Sequence, residues 1–327
     1  MSAATEAASA ADVPRRISLN RTRADRAYRA VTAMSGLLTL VILFLIGLFL
    51  FIRALPAFHQ NGLAFFTTST WNPDGGQAGV AALVYGTVVI ALIGLVIGIP
   101  ISLLTALFLT EYVPTRLRRP LTSVLDLMAA VPSLIYGFWG FFFLQPHLLG
   151  AAAWLTHNFG FLPVFSTPAG PFYPGSMFIG GVLISLMILP TATSIMRDVF
   201  AQTPPGEKEA ALALGGSRWR MIRMVVLPFG RGGIVGGSML ALGRAMGESI
   251  SLAIILSASF TISPHILQTG ANTIGANIAN RFGEASAQFG LPALIASGLV
   301  LFVMTLVVNT GASLIVRRSR SGAGVEI

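Results

Sequence analysis

The chain has 327 residues, of which 54% are hydrophobic and 10% charged, with a mean hydropathy of +0.78 and a net charge of +9. That balance lies outside the mix of a soluble domain and makes lipid the expected solvent. Cysteine is absent, which excludes disulfides, thiol catalysis and cysteine metal sites; His59, His147, His157 and His265 are scattered without metal-ligand spacing, so no metal site is expected.

A helix needs about 20 apolar residues to cross the hydrocarbon core, so uncharged runs predict the spans in order. Residues 1–30 form a polar, arginine-rich tail, and residues 33–52 a first span. Arg53, Leu55 and Pro56 follow that span in place of a small-x-small cleavage site, so it is expected to remain as an anchor and not to be removed as a signal. Residues 79–109 and 127–144 are the second and third spans. Between Leu127 and Met196 there is no charged residue, a run too long for one helix. Pro163, Pro168, Pro171 and Pro174 punctuate it as an external loop before a fourth span at 176–196. The fifth is expected at 234–260 and the sixth at 291–316, with 318–327 as a second tail. Pro132 and Pro190 fall inside apolar runs, where proline breaks or kinks a helix. The expectation is an all-α integral membrane protein with six transmembrane helices in a domain at 31–317.

Orientation follows from lysine and arginine, which short cytoplasmic loops retain. Of 21 basic residues, 18 lie in the first tail, after the second span, between the fourth and fifth spans, or in the last tail. Only Arg53 and Arg281 fall in the opposite loops, and Arg244 lies within a span. Both termini and the loop near 203–223 are therefore expected in the cytoplasm, with 56–78, 145–175 and 263–290 outside. Topology and anionic lipid account for the positive charge, so no nucleic-acid partner is expected.

The polar loop before the fifth span carries Glu209, Ala210, Ala211 and, four residues beyond Ala211, Gly215, then nine residues and Val225-Val226-Leu227-Pro228. Glu-Ala-Ala alone occurs by chance in helix-rich chains; the spaced glycine and Leu-Pro are the informative part. Lys208 is the only lysine and Glu207 precedes it, so no phosphate-binding loop ending in Gly-Lys-Ser/Thr exists in this chain. No nucleophile triad or paired-carboxylate arrangement stands out, and the chain is not expected to be an enzyme. Uphill movement of a solute would need a partner that hydrolyses ATP, or an ion gradient.

The segment at about 203–228 resembles the EAA loop of ABC-importer permeases. Asn61-Gly62-Leu63-Ala64-Phe65-Phe66, Trp71-Asn72-Pro73, Tyr85-Gly86-Thr87, Glu111-Tyr112-Val113-Pro114, Ala130 through Gly137 and Gly243-Arg244-Ala245-Met246-Gly247-Glu248 extend the likeness in order across about residues 35–316. Together they are similar to the PstC family of phosphate ABC-transporter permeases. That resemblance implies the type I importer fold in a bacterial inner membrane and inorganic phosphate as substrate. It also implies a PstA-like sister permease, a PstB-like ATPase dimer that binds ATP and Mg, and an external PstS-like phosphate-binding protein. On it, Glu209, Ala210, Ala211 and Gly215 would couple the chain to the ATPase, with Glu209 and Gly215 shaping the helix-turn that receives its stroke. Related readings are a permease for another oxyanion, such as sulfate or molybdate, or a secondary anion transporter in which Arg244, Glu248 and Asp126 form a relay.

Arg244 and Glu248 are singled out by cost. A charge within the hydrocarbon region costs roughly 2.5–3.5 kcal/mol on insertion scales, so it normally meets a partner or a wet cavity. Four residues apart on one helix, the two would share a face. They are candidates for the translocation pathway, the arginine offering a planar fork to an oxyanion; the other reading is an ion pair that locks two turns of helix. Gly243 and Gly247 add close approach, expected toward the sister permease as well as the pathway. Asp126 is expected to be interfacial.

Overall fold

The computed structural model describes residues 22–170 and 172–320, so most of the first tail and the end of the second lie outside the described residues. The chain divides into two units, Met1–Phe49 and Leu50–Ile327. Helix α1, Arg23–Asn61, starts within the stretch read as a tail and runs for 39 residues. In the first unit its apolar side chains, Leu37, Leu40 and Phe44 among them, are exposed, as suits a helix whose solvent is lipid.

In the second unit, α1 ends beside a short hairpin. Helix α2, Ala64–Thr67, leads into strands β1, Trp71–Asn72, and β2, Gln77–Ala78, paired antiparallel with Trp71 opposite Ala78. Asn61 Oδ1 accepts from the Ala78 amide at 2.8 Å and ties the hairpin to the helix end.

The centre of the unit is α3, Ala81–Leu107, against α7, Met177–Ala201. In lipid, apolar surface gives little drive for helices to associate, and small residues that let backbones approach carry the packing. Gly94 faces Ile184, Gly98 faces Ile188 and Gly181 faces Ile93; a Cβ on Gly94 would come within 2.6 Å of Ile184 Cγ2. The polar groups in the seam are all used: Ser102 Oγ donates to the carbonyls of Gly98 and Leu189, and Thr193 Oγ1 to that of Ser102. Helix α7 continues through Pro190.

After α3 the backbone widens into a π-helical turn, Phe108–Tyr112. Helix α4, Thr115–Ala130, and α5, Ser133–Trp139, follow; a second π turn, Gly140–Leu144, leads on into α6, Gln145–Phe159. The third span is therefore not one helix over 127–144. It is a broken pair bent by 91° at Val131-Pro132. Proline disfavours the helical conformation of the residue before it, and Val131 is extended at ψ 126. Helix also occupies the first half of the segment read as an external loop.

The fourth span leads to α8, Pro205–Ala213, and α9, Arg218–Met221; a π turn, Ile222–Val226, and α10, Leu227–Phe229, carry on to Gly230. There the chain bends by 66° into α11, Arg231–Gly247. The fifth span does not run unbroken to 260. It stops at Gly247 and resumes as α12, Ile250–Ile255, before an irregular segment. An apolar run continuing past Glu248 hid this break. Helix α13, Ile274–Arg281, and the long α14, Gly290–Arg320, complete the fold. Among the described residues there are thus four continuous helices long and apolar enough to cross a membrane, and two broken pairs.

Gly233 and Gly237 pack α11 closely on Val199, Ala192 and Met196 of α7, whereas Gly236 faces open space. The former pair serve packing and cannot be replaced freely.

Candidate functional site: a charged break in the fifth span and a polar segment at its base

Arg244 lies in the last turn of α11, thirteen residues beyond Arg231, which places it about 20 Å along the helix axis at 1.5 Å per residue. A cation in that position also complements the negative end of the helix dipole. Glu248 is outside the helix, with extended φ and ψ of −69° and 129°. The expectation that the two share one helical face is therefore corrected: the backbone turns away between them. No ion pair joins them either; the ion pairs among the described residues are Arg197–Asp198 and Lys208–Glu111. Glu248 Oε1 accepts instead from the Ser251 amide, at a long 3.4 Å, in the first turn of α12. Both charged residues are half-buried, and no hydrogen bond within the described residues commits the Arg244 guanidinium.

The two breaks come together. Helix α5 packs on α12, so closely that a Cβ on Gly137 would lie 2.9 Å from Ser251 Cα. Tyr136, on the same turn of α5, donates its hydroxyl at 3.0 Å to the Met128 carbonyl, which also accepts from the Val131 amide at a long 3.4 Å where Pro132 has no amide to offer. Irregular backbone at membrane depth is tolerated where it is buried in protein or lines a wet cavity. A half-buried, uncommitted arginine beside two such breaks can hold an anion by charge and by its fork of donors.

Gly243 does make a close approach, but to Asn309 of this chain's own α14; Gly247 faces open space. Asp126 is exposed on α4 and forms no ion pair.

At the base of the fifth span, α8 and α9 form a helix-turn-helix around Gly215. Its φ of +78° is in the left-handed region, which glycine adopts without steric cost, and nothing stands within 4 Å of where a Cβ would be. The glycine is there for backbone conformation and not for close approach. Glu209 and Ala210 are exposed and Ala211 half-buried. The turn also exposes apolar groups: Leu214 is 90% and Trp219 57% accessible, with Leu212 beside them. Apolar knobs on a polar segment suit insertion into a groove on another protein.

Sequence reasoning missed what holds this segment. Lys208 Nζ lies 2.6 Å from Glu111 Oε1, with the glutamate side chain 6% exposed and the lysine 21%. Arg218 stands over the Tyr112 ring, 5.3 Å from its centroid. A sole lysine in the chain and a lone acid at the end of an apolar run were the available signals.

Residues 98–321 match the family model of the binding-protein-dependent transport system inner membrane component. The phosphate transport system permease protein PstC 2 of Mycobacterium tuberculosis is 39% identical over 297 residues, covering 89% of this chain and 91% of the relative. PstC of Mesorhizobium japonicum is 37% identical over 303 residues, covering 91% and 92%. Among solved structures, a bacterial ABC transporter involved in import of the acidic polysaccharide alginate aligns with a TM-score of 0.58 at 19% identity, over 89% of this chain and 96% of that one. That likeness is one of fold.

Proposed function

The chain belongs to the family of binding-protein-dependent transport system inner membrane components, among its PstC permeases, and on that premise we propose that it forms half of the pathway of an ATP-driven importer of inorganic phosphate. The observation that carries the pathway is the Arg244 guanidinium, half-buried and uncommitted beside the breaks in the third and fifth spans. The names of the relatives supply phosphate as the anion.

Physics assigns the parts. A unit negative charge 4 Å from a guanidinium gains about 4 kcal/mol at an effective dielectric constant of 20. That is enough to draw an oxyanion out of water, and too much for rapid release if nothing opposes it. Glu248, four residues on, lowers the well. It can also accept a hydrogen bond from a protonated phosphate oxygen, a group that sulfate lacks at neutral pH; a site built on such a bond discriminates better than charge alone.

Energy enters from outside the chain. A PstB-like ATPase dimer, binding ATP and Mg, docks on the segment at 203–228, where Glu209, Ala210 and Ala211 lie along α8 and Gly215 forms the turn. A PstA-like sister permease completes the pathway, and a PstS-like binding protein delivers phosphate from outside. The tails and the segment at 203–228 face the cytoplasm of a bacterial inner membrane. Because the chain has no cysteine of its own, single cysteines report this orientation. An impermeant thiol reagent applied outside should label position 74 and spare position 208, and the reverse pattern would invert the topology.

The functional test is reconstitution with sister permease, ATPase and binding protein in vesicles. Phosphate uptake should require ATP, resist dissipation of ion gradients and yield little to excess sulfate or molybdate. Uptake that follows an ion gradient without ATP would place the chain among secondary transporters.

A further inference from the structure

The end of α3 receives three cations on three consecutive residues. The Thr110 carbonyl accepts from Arg118 Nη2 at 2.7 Å, the Glu111 carboxylate pairs with Lys208, and the Tyr112 ring lies under Arg218. Arg118 is local, on α4. The other two come from the polar segment at 203–228, one from α8 and one from α9, and so from opposite sides of the Gly215 turn. The helix-turn-helix is thus fastened at two points to a five-residue π turn, Phe108–Tyr112, that directly continues α3.

Position gives this fastening its meaning. The segment has a covalent route into the membrane through α10 and α11, but that route bends by 66° at Gly230, where a push along α9 is partly turned aside. The route through Glu111 enters at the π turn that directly continues α3. Helix α3 is interlocked with α7 by Gly94, Gly98 and Gly181, so a displacement of its end moves the packed centre. A short ion pair with the carboxylate 6% exposed is poorly screened and resists separation, unlike a solvated surface pair.

We propose that the Glu111–Lys208 pair, supported by Arg218 on Tyr112, is the joint through which motion of the coupling segment reaches α3. Both are positioning residues that touch neither substrate nor nucleotide. The proposal rests on the reading of 203–228 as the ATPase-coupling segment, and its test separates the two.

The assay uses the reconstituted four-component importer, reading phosphate taken up per ATP hydrolysed together with ATPase retained on the permease. Glu111→Gln and Lys208→Gln should each keep the ATPase bound and lower uptake per ATP by roughly fivefold or more, the lower end of couplings between sites. Lys208→Arg, which keeps the cation, should stay near the parental ratio. The pair acts as one element, so the double variant should be no worse than the poorer single. It also leaves no lone buried charge and carries the test if a single variant fails to accumulate. Parental uptake per ATP in the double variant, with ATPase bound, would overturn the joint alone. An ATPase that stays bound to Leu214→Asp, with its exposed knob converted to a charge, would overturn the coupling-segment reading beneath it.

Discussion

Between α3 and α7, Gly94, Gly98 and Gly181 are each filled by an isoleucine of the opposite helix, and Ser102 and Thr193 spend their hydroxyls on backbone carbonyls. Around the breaks in the third and fifth spans the chain does the reverse. Among the described residues no hydrogen bond or ion pair engages Arg244, Glu248 accepts from a distant amide, and the backbone leaves the helix at 131–132 and 248–249. Lipid penalises uncommitted polar groups everywhere, so the seam shows what the fold does when nothing else is required of it. Charge left open in one place and spent fully in another is the contrast on which the proposed pathway rests. The segment at 203–228 is intermediate, fastened at Lys208 and Arg218 and exposed at Leu214 and Trp219.

The contrast is tested hardest in the seam itself. Gly181→Val places a branched side chain where Ile93 already stands. Overpacking of this kind costs about 1–3 kcal/mol, and more where backbones cannot separate. The expected outcome is loss of most of the folded permease, read as monodisperse protein recovered from membranes. Gly236→Ala, toward open space on α11, should leave recovery unchanged. If both accumulate normally, the seam is not the rigid centre described above.

A smaller effect is expected at the turn. Gly215→Val forces a β-branched residue to a φ of +78° and should leave the protein inserted, because no neighbour is displaced. ATPase association, or uptake per ATP, should fall severalfold. Normal values of both would show that the turn does not shape the docking surface.

The smallest effect belongs to Glu248→Gln. The acceptor for the Ser251 amide survives as an amide oxygen, so folding should be preserved while phosphate uptake falls by a few-fold and discrimination against sulfate narrows. Uptake and selectivity equal to the parent would remove Glu248 from the pathway.

The legible part of this molecule was whatever hydrophobic length and proline control. The spans at 79–109, 176–196 and 291–316 reappear in α3, α7 and α14 because an uninterrupted apolar run in lipid has one low-energy backbone. The break at Pro132 was signalled by proline. That at Glu248 was not, since the run of apolar residues continues past it and the helix that resumes packs on α5, more than a hundred residues earlier in the chain. Gly215 was readable as a turn, and its positive φ supplies the reason. The Glu111–Lys208 pair joins residues 97 apart, a separation that no local pattern reports.

An Arg244 held open for the anion would show itself in initial phosphate uptake into vesicles, normalised to assembled four-component complex, for Arg244→Gln and Arg244→Lys. Gln removes the charge and Lys keeps it without the planar fork. A loss of roughly tenfold or more is expected for Arg244→Gln, equivalent to about 1.4 kcal/mol or more of lost stabilisation, with partial recovery in Arg244→Lys and unchanged assembly in both. Uptake at the parental rate by fully assembled Arg244→Gln complex would show that the arginine serves only the end of α11, and the pathway would have to be sought elsewhere.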